Sequence, residues 1–128
     1  MRLLLDTHTF LWFISGSPNL SARARTIIED SSSERFVSAA SLWEIAIKVS
    51  IGKLALAESF GTLVPQELQA NDMSVLPVKV EHLAKLTELP RYHGDPFDRL
   101  LAAQALVESI YLVSADEKLD AYGVQREW

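Results

Sequence analysis

Short apolar runs of strand length alternate with helical stretches along nearly the whole chain, and this alternation restricts the fold more than any other feature. Leu3-Leu4-Leu5 ends in Asp6 and suits a buried strand over residues 2–5. A helix follows through Phe10, Leu11 and Ile14 and stops at Gly16-Ser17-Pro18. Ser21 is placed to cap a second helix over 22–30, with Ala24, Ile27 and Ile28 on one face. Residues 35–38 read as a strand and 39–49 as a helix halted by Gly52. Residues 58–70 are helical in composition, although Pro65 is expected to break or restart that helix. A third strand is expected over 73–78 and a short helix over 81–87, stopped by Pro90. Asp95-Pro96 opens the next helix, with Asp as cap and Pro at the first helical position, and it runs to about Ser109. A strand over 110–113, one or two helical turns over 116–121 and a minimal fifth strand from Val124 complete the pattern. Short connections between such elements predict an α/β fold, an open parallel sheet of about five strands with helices on both faces. The binding crevice of such a sheet lies at the carboxyl ends of its strands.

The 128 residues show no internal repeat, low-complexity tract or linker, so a single domain over 1–128 is expected. Hydrophobic residues at 48% and charged residues at 23% exclude disorder. The absence of cysteine excludes a disulfide scaffold, a Cys-ligated zinc and a thiol nucleophile together. No apolar run is long enough for a membrane span, and Asp6 interrupts the amino terminus before a signal-peptide core could form. A cytoplasmic protein without a membrane partner is therefore expected. A net charge of −5, from 12 basic and 17 acidic side chains, argues at face value against a nucleic-acid binder. If four acids form a metal site, however, the remainder is nearly neutral. Bulk charge does not decide the partner.

Four acids fall where the predicted fold would gather them. Asp6 ends the first strand, Asp116 follows the fourth, Asp98 lies in the first turn after Pro96, and Glu44 lies mid-helix after the second strand. Strand ends and the starts of following helices share one edge of such a sheet, so these carboxylates could converge. Converging acids repel and would partly protonate unless a cation neutralises them. An all-oxygen donor set favours Mg²⁺ or Mn²⁺. Each residue also has an ordinary structural role open to it. Asp6 and Asp116 could cap helices, Asp98 could complete a capping box with Asp95, and Glu44 could pair with Lys48 one turn on.

Four stretches carry a resemblance to PIN-domain ribonucleases, specifically the VapC-type toxins of toxin–antitoxin modules. They are Leu3-Leu4-Leu5-Asp6-Thr7-His8 with Leu11-Trp12; Ser38 to Lys48 with Gly52-Lys53-Leu54; Asp95-Pro96-Phe97-Asp98-Arg99 through Ala105; and Val113-Ser114-Ala115-Asp116. The resemblance implies a PIN-like five-stranded parallel sheet and a metal-dependent endoribonuclease. It places Asp6, Glu44, Asp98 and Asp116 in the acidic quartet, with Thr7 and Ser114 as supporting hydroxyls. It also implies a homodimer inhibited by a cognate antitoxin whose carboxyl-terminal segment enters the active-site groove.

Phosphodiester hydrolysis needs an activated water, a neutralised phosphate and a stabilised leaving oxygen, which one or two Mg²⁺ ions can supply. Asp6 is expected as the central ligand because a strand end holds it rigidly, with Asp98 and Asp116 completing the shell. Glu44 would bind a second metal or orient the attacking water. Lys48, Arg99, Arg91 and His93 are candidates for holding RNA, against the alternative of solvated surface charge; for His93 and His8 the alternative is a structural hydrogen bond. Trp12, Trp43 and Phe97 could stack bases, though their helical spacing equally suits packing. An apolar groove near Leu42, Trp43, Leu54 and Phe60 is expected to receive the antitoxin. Two other readings compete: a catalytically silent interaction module, and an aspartyl-phosphate phosphohydrolase. The latter usually needs a second acid two residues after the first, where this chain has His8.

Overall fold

A computed structural model describes residues 1–128. In chain order the elements are β1 (Arg2–Leu5), α1 (Thr7–Ser15), α2 (Ala22–Glu29), β2 (Glu34–Ser38), α3 (Ala39–Ser50), α4 (Phe60–Ala70), β3 (Met73–Leu76), α5 (Val80–Glu88), α6 (Pro96–Glu108), β4 (Tyr111–Val113), a 3₁₀ helix (Glu117–Tyr122) and β5 (Arg126–Glu127). The five strands form one sheet in the order β3-β2-β1-β4-β5, and every pairing is parallel. The chain first winds outward from β1 through β2 to β3. It then returns to the other side of β1 to lay down β4 and β5, so the order reverses between β1 and β4.

β1 is buried on both sides, which is why it reads as a continuous apolar run rather than an alternating one. Leu3 and Leu5 point to one layer with Val37 and Val113, meeting Phe10 of α1, Ala24, Ile27 and Ile28 of α2, and Ile45 of α3. Leu4 points to the other with Leu76 and Leu112, meeting Leu101, Ala102 and Ala105 of α6 and Leu119 and Tyr122 of the 3₁₀ helix. Helices therefore cover both faces, as the alternation predicts.

Several helix ends follow from single side chains. Ser21 accepts from the Ala24 N–H at 3.0 Å and Ser38 from the Ala40 N–H at 3.0 Å, starting α2 and α3. Gly16 adopts a left-handed conformation at φ 65° and closes α1. The expectation for Pro65 is corrected: α4 begins at Phe60 and runs through Pro65 without a break. Pro65 is the sixth residue of the helix, so the carbonyl it leaves without an intrahelical donor is that of exposed Gly61, near the helix start, which water can reach. The predicted strand over 73–78 is trimmed to Met73–Leu76, and the last strand starts at Arg126 rather than Val124. The turns after Asp116 are 3₁₀ rather than α.

Leu4 is fully buried at the centre of the sheet. Leu4→Ala is expected to lower unfolding free energy by about 2–5 kcal/mol, read as a reduced urea midpoint with unchanged slope.

Candidate active site

The side chains that converge do so beside the reversal between β1 and β4. Leu5 is in register with Val113, and the Asp6 N–H donates to the Val113 carbonyl at 3.1 Å, carrying the ladder one residue further. The Thr9 hydroxyl donates to the same carbonyl at 2.9 Å. Asp6 Oδ1 accepts from the Thr9 N–H at 2.8 Å and caps α1, while Oδ2 has no protein partner. The capping role and a metal-ligand role are thus compatible in this one residue, because they use different oxygens.

Asp116 is held from the β4 side. Its N–H donates to Ser114 Oγ at 3.1 Å, Oδ1 accepts from the Lys118 N–H at 3.0 Å, and Oδ2 lies 2.6 Å from His93 Nε2. Asp98 arrives from the first turn of α6. The cap of that helix is Asp95, whose Oδ1 accepts the N–H groups of Phe97 and Asp98 at 2.8 and 3.2 Å. In a capping box Asp98 would accept from the Asp95 N–H. That N–H donates instead to His93 Nδ1 at 3.0 Å, so the Asp98 carboxyl is free of capping duty. Its only polar neighbour within ion-pair distance is His93, 3.4 Å away.

Asp6, Asp98 and Asp116 line one pocket of about 230 Å³, with His8, Trp12 and Ala115 completing the wall. Glu44 does not line this pocket. It is buried on α3, with Oε1 accepting from Thr7 Oγ1 at 2.7 Å and Oε2 from Lys48 Nζ at 2.9 Å. Its charge still reaches the others. Burial, together with the negative charges of Asp95, Asp6 and Glu44, pushes the Asp98 carboxyl up to about 7, although His93 pulls the other way. For Asp116, burial works to raise the pKa but is outweighed by hydrogen bonds from His93 and the Lys118 N–H, so its carboxyl lies below the usual range. For Asp98, burial is the largest cause, and the neighbouring carboxylates add to it without a full cationic answer. The donor set of carboxylates with one oxygen left open on Asp6 fits a hard divalent cation.

The basic candidates are placed less uniformly. Lys48 is committed to Glu44. Arg99 turns its guanidinium to the Leu89 carbonyl at 3.0 Å, and Arg91 is exposed on the loop between α5 and α6. His93 sits among the acids rather than on open surface. His8 and Trp12, four apart on α1 with ring centroids 5.6 Å apart, form a wall of the acidic pocket, and Trp12 also meets Trp128 at 5.9 Å. The one signal for that wall in the sequence is the i,i+4 spacing of His8 and Trp12 in the helix that follows Asp6. Trp43 is exposed and meets Phe97 edge-on at 5.5 Å.

A larger groove of about 520 Å³ runs beside the acidic pocket and shares His8 and Trp12 with it. Thr7, Leu11, Lys48, Leu54 and Leu56 are among its lining residues. Of the four apolar residues expected at a docking groove, Leu54 lines it. Leu42 and Phe60 pack against the core, and Trp43 lies outside.

The sequence matches the PIN domain family over residues 3–125, and the chain belongs to that family. No curated protein sequence matches it. Among solved structures, the fold is similar to a chain of VapBC2 from Rickettsia felis bound to a DNA fragment of its promoter, with TM-score 0.75 at 16% identity over 99% of this chain and 98% of that one. It is also similar to DNA-bound VapBC from Salmonella typhimurium, with TM-score 0.70 at 19% identity over 99% and 97%. A third is VapBC-1 from nontypeable Haemophilus influenzae, with TM-score 0.67 at 16% identity over 99% and 97%. At these identities the likeness is one of fold.

Asp98 holds its proton more tightly when folded than its ordinary value of 3.8 would allow. Its contribution to stability is therefore complete below about pH 4 and is lost as pH rises through about 7. In EDTA, Asp98→Asn is expected to raise the urea midpoint at pH 8 and to change it little at pH 4. Equal shifts at both pH values would contradict the assigned environment.

Proposed function

We propose that this PIN domain is a metal-dependent endoribonuclease acting as the toxin of a toxin–antitoxin module. The observation that carries the reading is the meeting of Asp6, Asp98 and Asp116, from three distant parts of the chain, in one pocket. Asp6, Asp98 and Asp116 would hold Mg²⁺ or Mn²⁺, and the bound ion would supply a nucleophilic hydroxide and neutralise the phosphate. Asp6 is the central ligand, since the β1–β4 ladder fixes its backbone and its Oδ2 is open. Glu44 lies outside the pocket that the other three acids line, which suits it to orient a water rather than to ligate directly. Thr7 supports Glu44, and Ser114 supports Asp116 through its N–H. Lys48 and His93 contact these acids and Arg99 is turned to the Leu89 carbonyl, so of the three cationic residues Arg91 is the one without a protein partner and suited to meet the RNA backbone.

The adjoining groove, apolar in Leu11, Leu54 and Leu56 and basic in Lys48 and Lys53, suits an amphipathic segment of an antitoxin. Exposed Val75, Val80 and Leu83 on β3 and α5 suit a second copy in a homodimer. No helix is long and apolar enough to cross a membrane, in keeping with a cytoplasmic site of action.

Asp6→Asn is expected to abolish Mg²⁺-dependent cleavage of structured RNA by about 100-fold or more while the circular dichroism spectrum is unchanged. Undiminished cleavage by the folded variant would remove the site assignment. No cleavage by the unaltered protein, together with tight antitoxin binding, would favour the silent interaction module.

A further inference from the structure

His93 stands where a cation would be expected, with its Nε2 within reach of both Asp116 and Asp98. Nitrogen and carboxylate oxygens at such distances look like a ligand set, since His93, Asp98 and Asp116 offer atoms within 4.8 Å of one another. The hydrogen bonding on the other side of the ring argues otherwise. His93 Nδ1 accepts from the Asp95 N–H, so that nitrogen carries no proton. A neutral imidazole with a bare Nδ1 carries its proton on Nε2. The 2.6 Å contact with Asp116 is then an N–H donating to a carboxylate, and Asp98 lies beside the same proton.

We propose that His93 is a positioning residue of the metal site, a fixed hydrogen-bond donor that sets the Asp116 carboxylate and stays outside the metal's own ligand shell. The inference rests on the metal-binding reading of the acidic pocket. Three contacts hold the ring in this role. The His93 N–H donates to the Tyr122 hydroxyl at 2.9 Å, Arg99 anchors the start of the loop at the Leu89 carbonyl, and the Asp95 N–H holds Nδ1. For Nε2 to ligate a metal, Nδ1 would have to take the proton. That would turn the Asp95 N–H against an N–H and leave the cap of α6 with an unmet donor. The cheaper state keeps the proton on Nε2. Asp116 then enters metal binding with one oxygen oriented by the Lys118 N–H and the other by His93, each retaining a lone pair. Partners of this kind typically change metal affinity by about 10–100-fold when removed.

The test uses the full chain and Mn²⁺ as the probe. Affinity is read by calorimetry, and the coordination of bound Mn²⁺ by electron spin-echo spectroscopy. His93→Ala is expected to weaken Mn²⁺ binding about 10–100-fold. His93→Gln, whose side-chain amide can place an N–H near the Nε2 position, is expected to recover most of the loss. The echo spectrum of the unaltered protein is expected to show no directly bound nitrogen. A directly coordinated imidazole nitrogen would overturn the proposal, as would unchanged or tighter binding by folded His93→Ala, which would make the ring a plug that the metal displaces. A failure of His93→Gln to recover affinity would also overturn it. If the unaltered protein bound no Mn²⁺ at all, both this inference and the nuclease reading would fall. If it bound Mn²⁺ equally with and without His93, only this inference would.

Discussion

The parallel pairing of β1 with β4 is the contact on which the rest of the molecule depends. Leu5 in register with Val113 places Asp6 and Ser114 side by side at the edge where the strand order reverses. The Val113 carbonyl, taking N–H and O–H donors from Asp6 and Thr9, extends that pairing into the first turn of α1. A shift of one residue would exchange the two faces of β1, burying polar groups and carrying Asp6 away from Asp116. The apolar packing of Leu3, Leu4 and Leu5 on both sides of the sheet sets the register, and the register sets the site.

Electrostatics then limits what such a site can be. Carboxylates brought together by packing are mutually repulsive, and the protein leaves that repulsion partly uncompensated. Lys48 answers Glu44 with a charge and His93 answers Asp116 with a hydrogen bond, whereas Asp98 is raised by burial first and then by the charges of Asp95, Asp6 and Glu44. A fold that needed these acids only as caps would have no reason to gather them. Asp95 illustrates the distinction, since both the helix start and the loop geometry are accounted for by its own contacts.

Much of this was legible in the sequence. The alternation of elements gave the sheet and the helices on its two faces, because β1 and β4 are buried on both sides and read as unbroken apolar runs. The cap residues Ser21 and Asp95 announce their helices through a local hydrogen bond that needs no tertiary context. Asp6, Asp98 and Asp116 could be placed together from their positions relative to strand and helix ends alone. Pro65 misled because its cost depends on whether the affected carbonyl can reach water, which local sequence does not state. The setting of His93 was not legible, since it depends on Tyr122, which lies 29 residues further along, and on an Asp95 N–H that sequence rules would assign to Asp98. For Glu44 the sequence leaves a second-metal role and a water-orienting role open, and its contacts to Thr7 and Lys48, which decide how its oxygens are used, depend on tertiary packing.

The account therefore turns on a cation finding its place among Asp6, Asp98 and Asp116. A crystal of this chain grown with Mn²⁺ and measured at the manganese absorption edge would test it most directly. An anomalous peak within coordination distance of Asp6 Oδ2 and the Asp98 carboxylate is the expected result. A clear map with no peak there would contradict it.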